Sequence, residues 1–460
     1  MIGSLLFIME MMFYVMLNMK VMKIISIVIT CLVIWLQAGC GSSSSSDSTD
    51  ADGVADTLVL DEVLATRGPL VINEVMSNGV VGASDWFELY NNGTSSINLS
   101  EYSVSNSESN SASVLPALFL DPEEYIVIFA KGGAEPVGDN DVPFTLEGKD
   151  SLRLQLDGQV VDILEWEVSD APQGYSYGAM EDGSWKNGTL VATPSAKNIP
   201  VNPFDVSRVE EIHIGISEAD WLDMLENALD KKNYAASVTY KGVALENIAI
   251  RTKGHSSLEP VYSSGSTRFS FKLDIDKYVK GQKLLGLKKF SLNNNFSDPS
   301  YMRDHLSYVL MRSIGLPAPR TSYANLYING MLRGLYLLVE QVDSEFLYRN
   351  FENSDGDLYK MDRETAADVG NDLLWIDDDI SSYGAAELKT NKKSSNNSAF
   401  ITMLDVLNNG GDIASVIDVD AVLRYLAVST ALSNLDSYQG ARAQNYYLYE
   451  VDGRFSVIPW

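Results

Sequence analysis

Cysteine is almost missing from this 460-residue chain. The two that occur, Cys31 and Cys40, lie in the N-terminal segment. The body can therefore form no disulfide and no thiolate metal site. Histidine is nearly as scarce, and His213, His255 and His305 show no HExxH-like spacing, which argues against a histidine-rich zinc centre. No G-x-S-x-G nucleophile elbow is present. Gly281 and Gly286 have P-loop spacing, but Leu287 and Lys288 follow where a lysine should come directly after the glycine. Positive charge is also in short supply: 34 Lys and Arg stand against 62 Asp and Glu, a net charge of −28. Phosphate contacts dominate nucleic-acid affinity, so nucleic acid is not an expected partner.

What is present begins with an export signal. Lys20 and Lys23 precede an apolar run from Ile24 to Leu36, too short for a comfortable membrane span and suited to a signal h-region. The run ends in Leu36-Gln-Ala-Gly-Cys40-Gly, which resembles a bacterial lipoprotein processing box, with Gln37 departing from the usual aliphatic residue. Residues 1–39 are thus expected to be removed and Cys40 to carry a lipid that holds the protein on a membrane. The Ser-rich stretch that follows, within 40–66, is too polar and too small-sided to fold and reads as a tether.

Residues 67–200 show short β-like runs separated by turn residues, with Asn91-Asn-Gly and Asp157-Gly as turn signals. Regular short strands without helical periodicity predict an all-β sandwich. Ile72-Asn-Glu-Val-Met-Ser-Asn, Asp85-Trp-Phe-Glu-Leu-Tyr-Asn-Asn and Ile97-Asn-Leu-Ser-Glu-Tyr, with the closing Ala192-Thr-Pro-Ser-Ala-Lys-Asn198, resemble a bacterial lamin tail domain. That resemblance implies an immunoglobulin-like fold without catalysis. Glu74, Asp85 and Glu88 could form a calcium cluster, but the reading favoured is a solvated strand face beside a buried Trp86.

The composition changes in residues 207–460. Glu210 to Ile216 alternates like a strand, and Ser217 with Asp220 forms a helix-start signal. Strands, a central helix, more strands and a helical C-terminal part follow, an α+β order. The pieces resemble, in order, the spore coat protein H (CotH) kinase family. Ile250-Arg-Thr-Lys-Gly-His-Ser-Ser257 is similar to its Arg/Gly/Ser loop, and Thr267-Arg-Phe-Ser-Phe-Lys272-Leu to its lysine strand. Leu285 to Asn295 and Met302-Arg-Asp-His-Leu-Ser-Tyr resemble its run into the central helix. Tyr327 to Asp343 resembles its hairpin and hinge, and Asn434-Leu-Asp436 to Tyr449 its active-site segment. The resemblance implies an atypical protein-kinase-like domain acting on ATP with Mg²⁺. It also implies a further metal-binding Asp beyond Trp460, so the kinase-like domain reads as incomplete at its C-terminus.

Each motif has a physical reading. Lys272 alternates with Phe269 and Phe271, so its charge lies on the face opposite those rings, where it could hold nucleotide phosphates. Arg251 could neutralise phosphate bidentately, and Gly254 with Ser256 and Ser257 could lie close over it. The strand end at Glu340 to Val342 could present backbone groups to an adenine edge. Arg303 or Asp304, opening an amphipathic helix with Leu306, Val309, Leu310 and Ile314, could steady Lys272 or a phosphate. Asp436 is the candidate catalytic base beside the acceptor hydroxyl. Asn445 could offer an amide oxygen to magnesium, with Gln444 lining the same site. Residues 362–397 read as a polar insertion near the cleft, its acidic runs as solvated loops.

The expectation is an exported, lipid-anchored, CotH-type kinase that phosphorylates Ser or Thr of an extracytoplasmic protein. The alternative is a non-catalytic surface binding or adhesion protein with a kinase-like fold. Residues past Trp460 would separate the two.

Overall fold

The computed structural model describes residues 68–79, 84–108, 112–132, 140–179, 187–254, 256–362 and 369–460. The expected signal, Cys40, the tether and His255 lie outside them. Two sheets build the N-terminal part. One has seven strands in the order Ile199–Pro200, Asn187–Val191, Tyr175–Ala179, Leu70–Met76, Asp85–Asn91, Tyr125–Ala130, Asp141–Val142. The other has four, in the order Gln159–Trp166, Asp150–Leu156, Tyr102–Asn106, Ser113–Val114. Alternate side chains from both, including Ile72, Phe87, Leu89, Val104, Leu152, Leu154 and Leu164, form a single buried core. Each large apolar side chain so buried contributes about 1.5–3 kcal/mol.

The face of Glu74 and Glu88 is not solvated, contrary to the sequence reading. Both carboxylates are fully buried beneath the closing segment Thr193–Asn198. Glu74 accepts from Thr193 N at 3.0 Å, from Thr193 Oγ1 at 3.1 Å and from Ser176 Oγ. Glu88 accepts from Asn73 Nδ2 at 2.8 Å and from the Ser195 amide. The closing loop, over a hundred residues away, supplies the Thr193 and Ser195 donors, so neighbouring sequence carries no sign of them.

The next part is a closed barrel of seven strands: β1 (Glu210–Ile216), β2 (Tyr234–Tyr240), β3 (Val243–Lys253), β4 (Ser270–Asp274), β5 (Lys289–Asn293), β6 (Thr321–Ile328) and β7 (Met331–Glu340). Their spatial order is β1-β2-β3-β4-β5-β7-β6, and a parallel β6–β1 ladder closes the ring. Ile212, Ile214, Ile250, Phe271, Leu273, Phe290 and Leu338 fill the interior. Helix α1 (Glu218–Glu226) starts at Ser217, whose hydroxyl accepts from Asp220 N at 3.1 Å. Asn329 and Gly330, both with positive φ, make the tight β6–β7 turn. Sandwich and barrel meet through Lys283, whose amide donates to Ser169 Oγ at 3.0 Å and whose amine pairs with Asp170 at 3.5 Å.

Helix α2 (Leu258–Ser263) follows β3, and α3 (Arg303–Ser313) lies between β5 and β6. Past the barrel come α4 (Ser344–Phe351), β8 (Leu358–Met361), β9 (Ala386–Leu388), α5 (Ser398–Asn409), α6 (Ile413–Val416), α7 (Val419–Ala431), β10 (Tyr446–Val451) and β11 (Arg454–Pro459). The sheet runs β9-β8-β10-β11. One face, with Tyr359, Met361, Tyr446 and Leu448, packs on α5 and α7 through Phe400, Met403 and Tyr425. The other, with Leu358, Tyr447, Tyr449 and Ile458, packs on Phe346 and Leu347 of α4. Residues 362–397 are thus more than an insertion. Their described part supplies edge strand β9 and the buried Tyr383, whose hydroxyl receives the Ile376 amide at 2.9 Å.

Candidate functional site

β3, β4 and β5 alternate, so the residues that do not enter the barrel share its outer face. On that face Arg251 pairs in register with Lys272, Lys272 with Ser291, and Lys253 with Ser270. The expectation that Lys272 lies opposite Phe269 and Phe271 is met, since both rings are buried in the barrel. Among the described residues, Arg251, Lys253 and Lys272 have no ion-pair partner. The cations around them do: Lys289 with Asp274 at 3.4 Å, Lys288 with Glu345 at 3.2 Å, and Lys360 with Asp362.

Clustering like charges out of water disfavours their charged forms. Burial, then the neighbouring Arg251, pushes the Lys272 amine down to about 8. Burial, then Lys272, pushes the Lys253 amine down to about 7. Burial also lowers Arg251. An anion entering here would reverse the effect. In a chain of net charge −28, three cations without ion-pair partners among the described residues share one face.

The four-stranded sheet faces this cluster. The Lys253 amine lies 5.2 Å from the Trp460 ring centroid, and Trp460 meets Tyr447 edge-on at 5.6 Å. Tyr446 pairs with Pro459 and with Met361. One step further along the same sheet end come Asn445, Trp460 and Asp362, with Trp460 against Tyr447 and Asp362 paired with Lys360. Asp436 sits in the loop between α7 and β10. Its carboxylate accepts from Gln444 Nε2 at 2.7 Å and its carbonyl from Asn445 Nδ2 at 2.9 Å. Asn445 holds a left-handed φ of 59°, which Asn tolerates better than most residues. Its Oδ1 receives no hydrogen bond among the described residues. The loop is anchored below by Tyr438 and Tyr446, the latter donating to the Asn371 carbonyl at 2.6 Å.

The other expected residues fall as follows. Gly254 directly follows Lys253 with φ 126°, and a Cβ there would stand 2.6 Å from Ser257 Oγ, so the turn requires glycine. Ser256 is exposed in that turn. Glu340 pairs with Phe290, so its side chain lies on the face opposite Lys272. Its carboxylate is taken by Arg320 at 2.7 Å and Arg349 at 2.6 Å, and its amide donates to the Arg320 carbonyl at 3.0 Å. Val342 packs with Phe346 and Tyr447. Arg303 turns to Asp298 at 3.6 Å, whereas Asp304 accepts from Asn293 Nδ2 at 3.4 Å, on the Lys253 side of the cluster. Lys253, Asn293 and Asp362 were not singled out from sequence. Lys253 carried one signal, its even spacing from Arg251 on a strand.

Among the described residues, no three His, Cys, Asp or Glu side chains converge to hold a metal. Asn445 Oδ1 is a hard oxygen donor of the kind magnesium takes. By that chemistry it could hold the ion, with phosphate and water supplying the remaining oxygens.

A family model described as CotH kinase protein matches residues 250–460, and a lamin tail domain model matches residues 64–168. Inner spore coat protein H of Bacillus subtilis (strain 168) is 28% identical over 186 residues, covering 38% of this chain and 49% of its own length. The inner spore coat protein H-like protein of the same organism is 44% identical over 59 residues, covering 13% of this chain and 19% of its own length. The chain therefore spans half or less of these curated relatives.

Proposed function

For this chain, which carries a CotH kinase domain behind a lamin tail domain and is homologous to inner spore coat protein H, we propose kinase-like phosphotransfer outside the cytoplasm. It moves the γ-phosphoryl group of Mg-ATP to a Ser or Thr hydroxyl of a surface or coat protein. The observation that supports this most is the outer barrel face, where Arg251 and Lys272 stand without ion-pair partners among the described residues. Phosphoryl transfer is mostly positioning and charge neutralisation, and those cations supply the second. Asp436 takes the proton from the acceptor hydroxyl as the new bond forms. Gln444 fixes the carboxylate's orientation through its 2.7 Å hydrogen bond. Asn445, whose amide donates to the Asp436 carbonyl, offers its oxygen to magnesium. Magnesium, when bound, contributes neutralisation of the β- and γ-phosphate oxygens.

The spore-coat name of the relative supports a surface or coat location, and the processing box at Cys40 supports attachment by lipid. No helix among the described residues is long and apolar enough to cross a membrane. Changing Cys40→Ala should release the protein from membranes. The catalytic reading is tested by calorimetric titration with Mg-ATP and by label incorporation into a protein substrate. Asp436→Asn should bind nucleotide and fail to transfer, while Lys272→Met should lose both. An unaltered protein that binds no nucleotide would overturn the reading in favour of a non-catalytic surface-binding protein.

A further inference from the structure

We infer that Lys253 is a second phosphate-gripping lysine of this cleft, acting with Arg251 and Lys272 on the polyphosphate chain of the ligand, whether a nucleoside triphosphate or a free polyphosphate. The inference rests on the reading above only in taking the ligand to be phosphorylated.

Lys253 ends β3 and precedes the glycine turn, two residues from Arg251 on the same outer face and diagonal to Lys272. An amine carries three N–H donors. One goes to Asn293 Oδ1 at 3.0 Å, and the Trp460 ring covers one side at 5.2 Å. The other donors have no acceptor among the described residues. Asn293 in turn donates to Asp304 at 3.4 Å, so a neutral amide separates the lysine from the carboxylate. The arrangement orients Lys253 without neutralising it. A lysine with a purely structural role would pair as Lys288, Lys289 and Lys360 pair nearby. Holding a second cation beside Lys272 is unfavourable in a partly desolvated cleft unless an anion arrives. A triphosphate brings several negative charges to three cations carried on two adjacent strands.

A binding signature follows. The charged groups around the Lys253 amine are Lys272, Arg251, Lys360 and Asp304. Its affinity for a proton is held down by burial and by those cations. A bound polyanion restores that affinity, so binding near pH 7.5 takes up a proton.

The test is calorimetry at pH 7.5 in two buffers of different ionisation enthalpy, with ATP, inorganic tripolyphosphate and AMP as probes. The unaltered protein should bind the two triphosphates with net proton uptake, and AMP more weakly. Lys253→Met should weaken both triphosphates about tenfold to a hundredfold, the worth of a charge-assisted hydrogen bond, and reduce the uptake. Lys253→Arg should keep the affinity but reduce the uptake, because a guanidinium is already charged. Equal losses for ATP and tripolyphosphate support recognition of the chain itself. A loss confined to ATP supports the same role with a nucleoside source. Unchanged affinity and uptake in Lys253→Met, with binding lost in Lys272→Met, would overturn the inference and leave the proposed function standing. Failure of the unaltered protein to bind any probe would overturn both.

Discussion

Glu74 and Glu88 stand directly opposite each other on neighbouring strands of the sandwich, both fully buried, and every hydrogen-bond donor they share is neutral. Burial raises Glu74 above the usual carboxylate range. Burial, against the hydrogen bonds from Ser195 and Asn73, raises Glu88 to about 7. The folded state thus holds protons that the unfolded chain, with an ordinary glutamate near 4.5, gives up. For such groups stability is fully present below the unfolded value and falls as pH rises through the folded one. Between pH 4.5 and 7 the sandwich should lose on the order of 3 kcal/mol from Glu88 alone. Its melting temperature, followed across that window, should drop as pH rises, and Glu74→Gln should make the slope shallower. A flat profile would refute the account.

Glu340 binds two guanidinium groups and nothing on the Lys272 face. Glu340→Ala leaves Arg320 and Arg349 half-buried and uncompensated. The expected cost is on the order of 3 kcal/mol, read by chemical denaturation. Nucleotide affinity of the fraction that remains folded should not change. A selective loss of binding with normal stability would instead support Glu340 as a ligand contact.

At Asn445 backbone and side chain make separate demands. Both Asn445→Ala and Asn445→Gly remove the amide, its hydrogen bond to Asp436 and the open oxygen. Only alanine must also hold a left-handed φ, at about 1–2 kcal/mol. Alanine should therefore be the less stable of the two by that margin, while magnesium dependence of nucleotide binding weakens equally in both. Equal stabilities would contradict the backbone argument.

Helix α3 turns most of its sequence-apparent apolar side outward, while Ile314 packs against the core. Leu306, Val309 and Leu310 are 51%, 40% and 39% exposed, whereas Met311 is 3% exposed and packs with Leu316 and Tyr425. Leu306→Glu should change stability by no more than about 0.5 kcal/mol. Met311→Ala should cost about 2–5 kcal/mol. Denaturant midpoints for the two variants check the ordering, and a larger loss from Leu306→Glu would show that face to be covered in solution.

Where several of the expected residues lie was readable residue by residue because their placement obeys local rules. Strand alternation placed Lys272 opposite two phenylalanines, Asn329-Gly330 announced its turn, and Asp436 fell in a loop past a helix end. Lys253 obeyed the same alternation but carried no distinguishing chemistry until the lack of an ion-pair partner was visible. That is a property of the whole neighbourhood. The Glu74–Glu88 face looked solvated for a similar reason, since several of its donors come from residues 193–198.

By itself the sequence determined the two-part architecture and the outward side of the Lys272 strand. These follow from backbone geometry and side-chain type. Only the tertiary structure decided which charges go unpaired and which are absorbed. The parallel β1–β6 ladder closes the barrel, β9 joins the sheet edge, and Trp460 comes to rest over Lys253. Those contacts join segments far apart in the chain, and whether they form depends on how the whole chain packs, which no local pattern encodes.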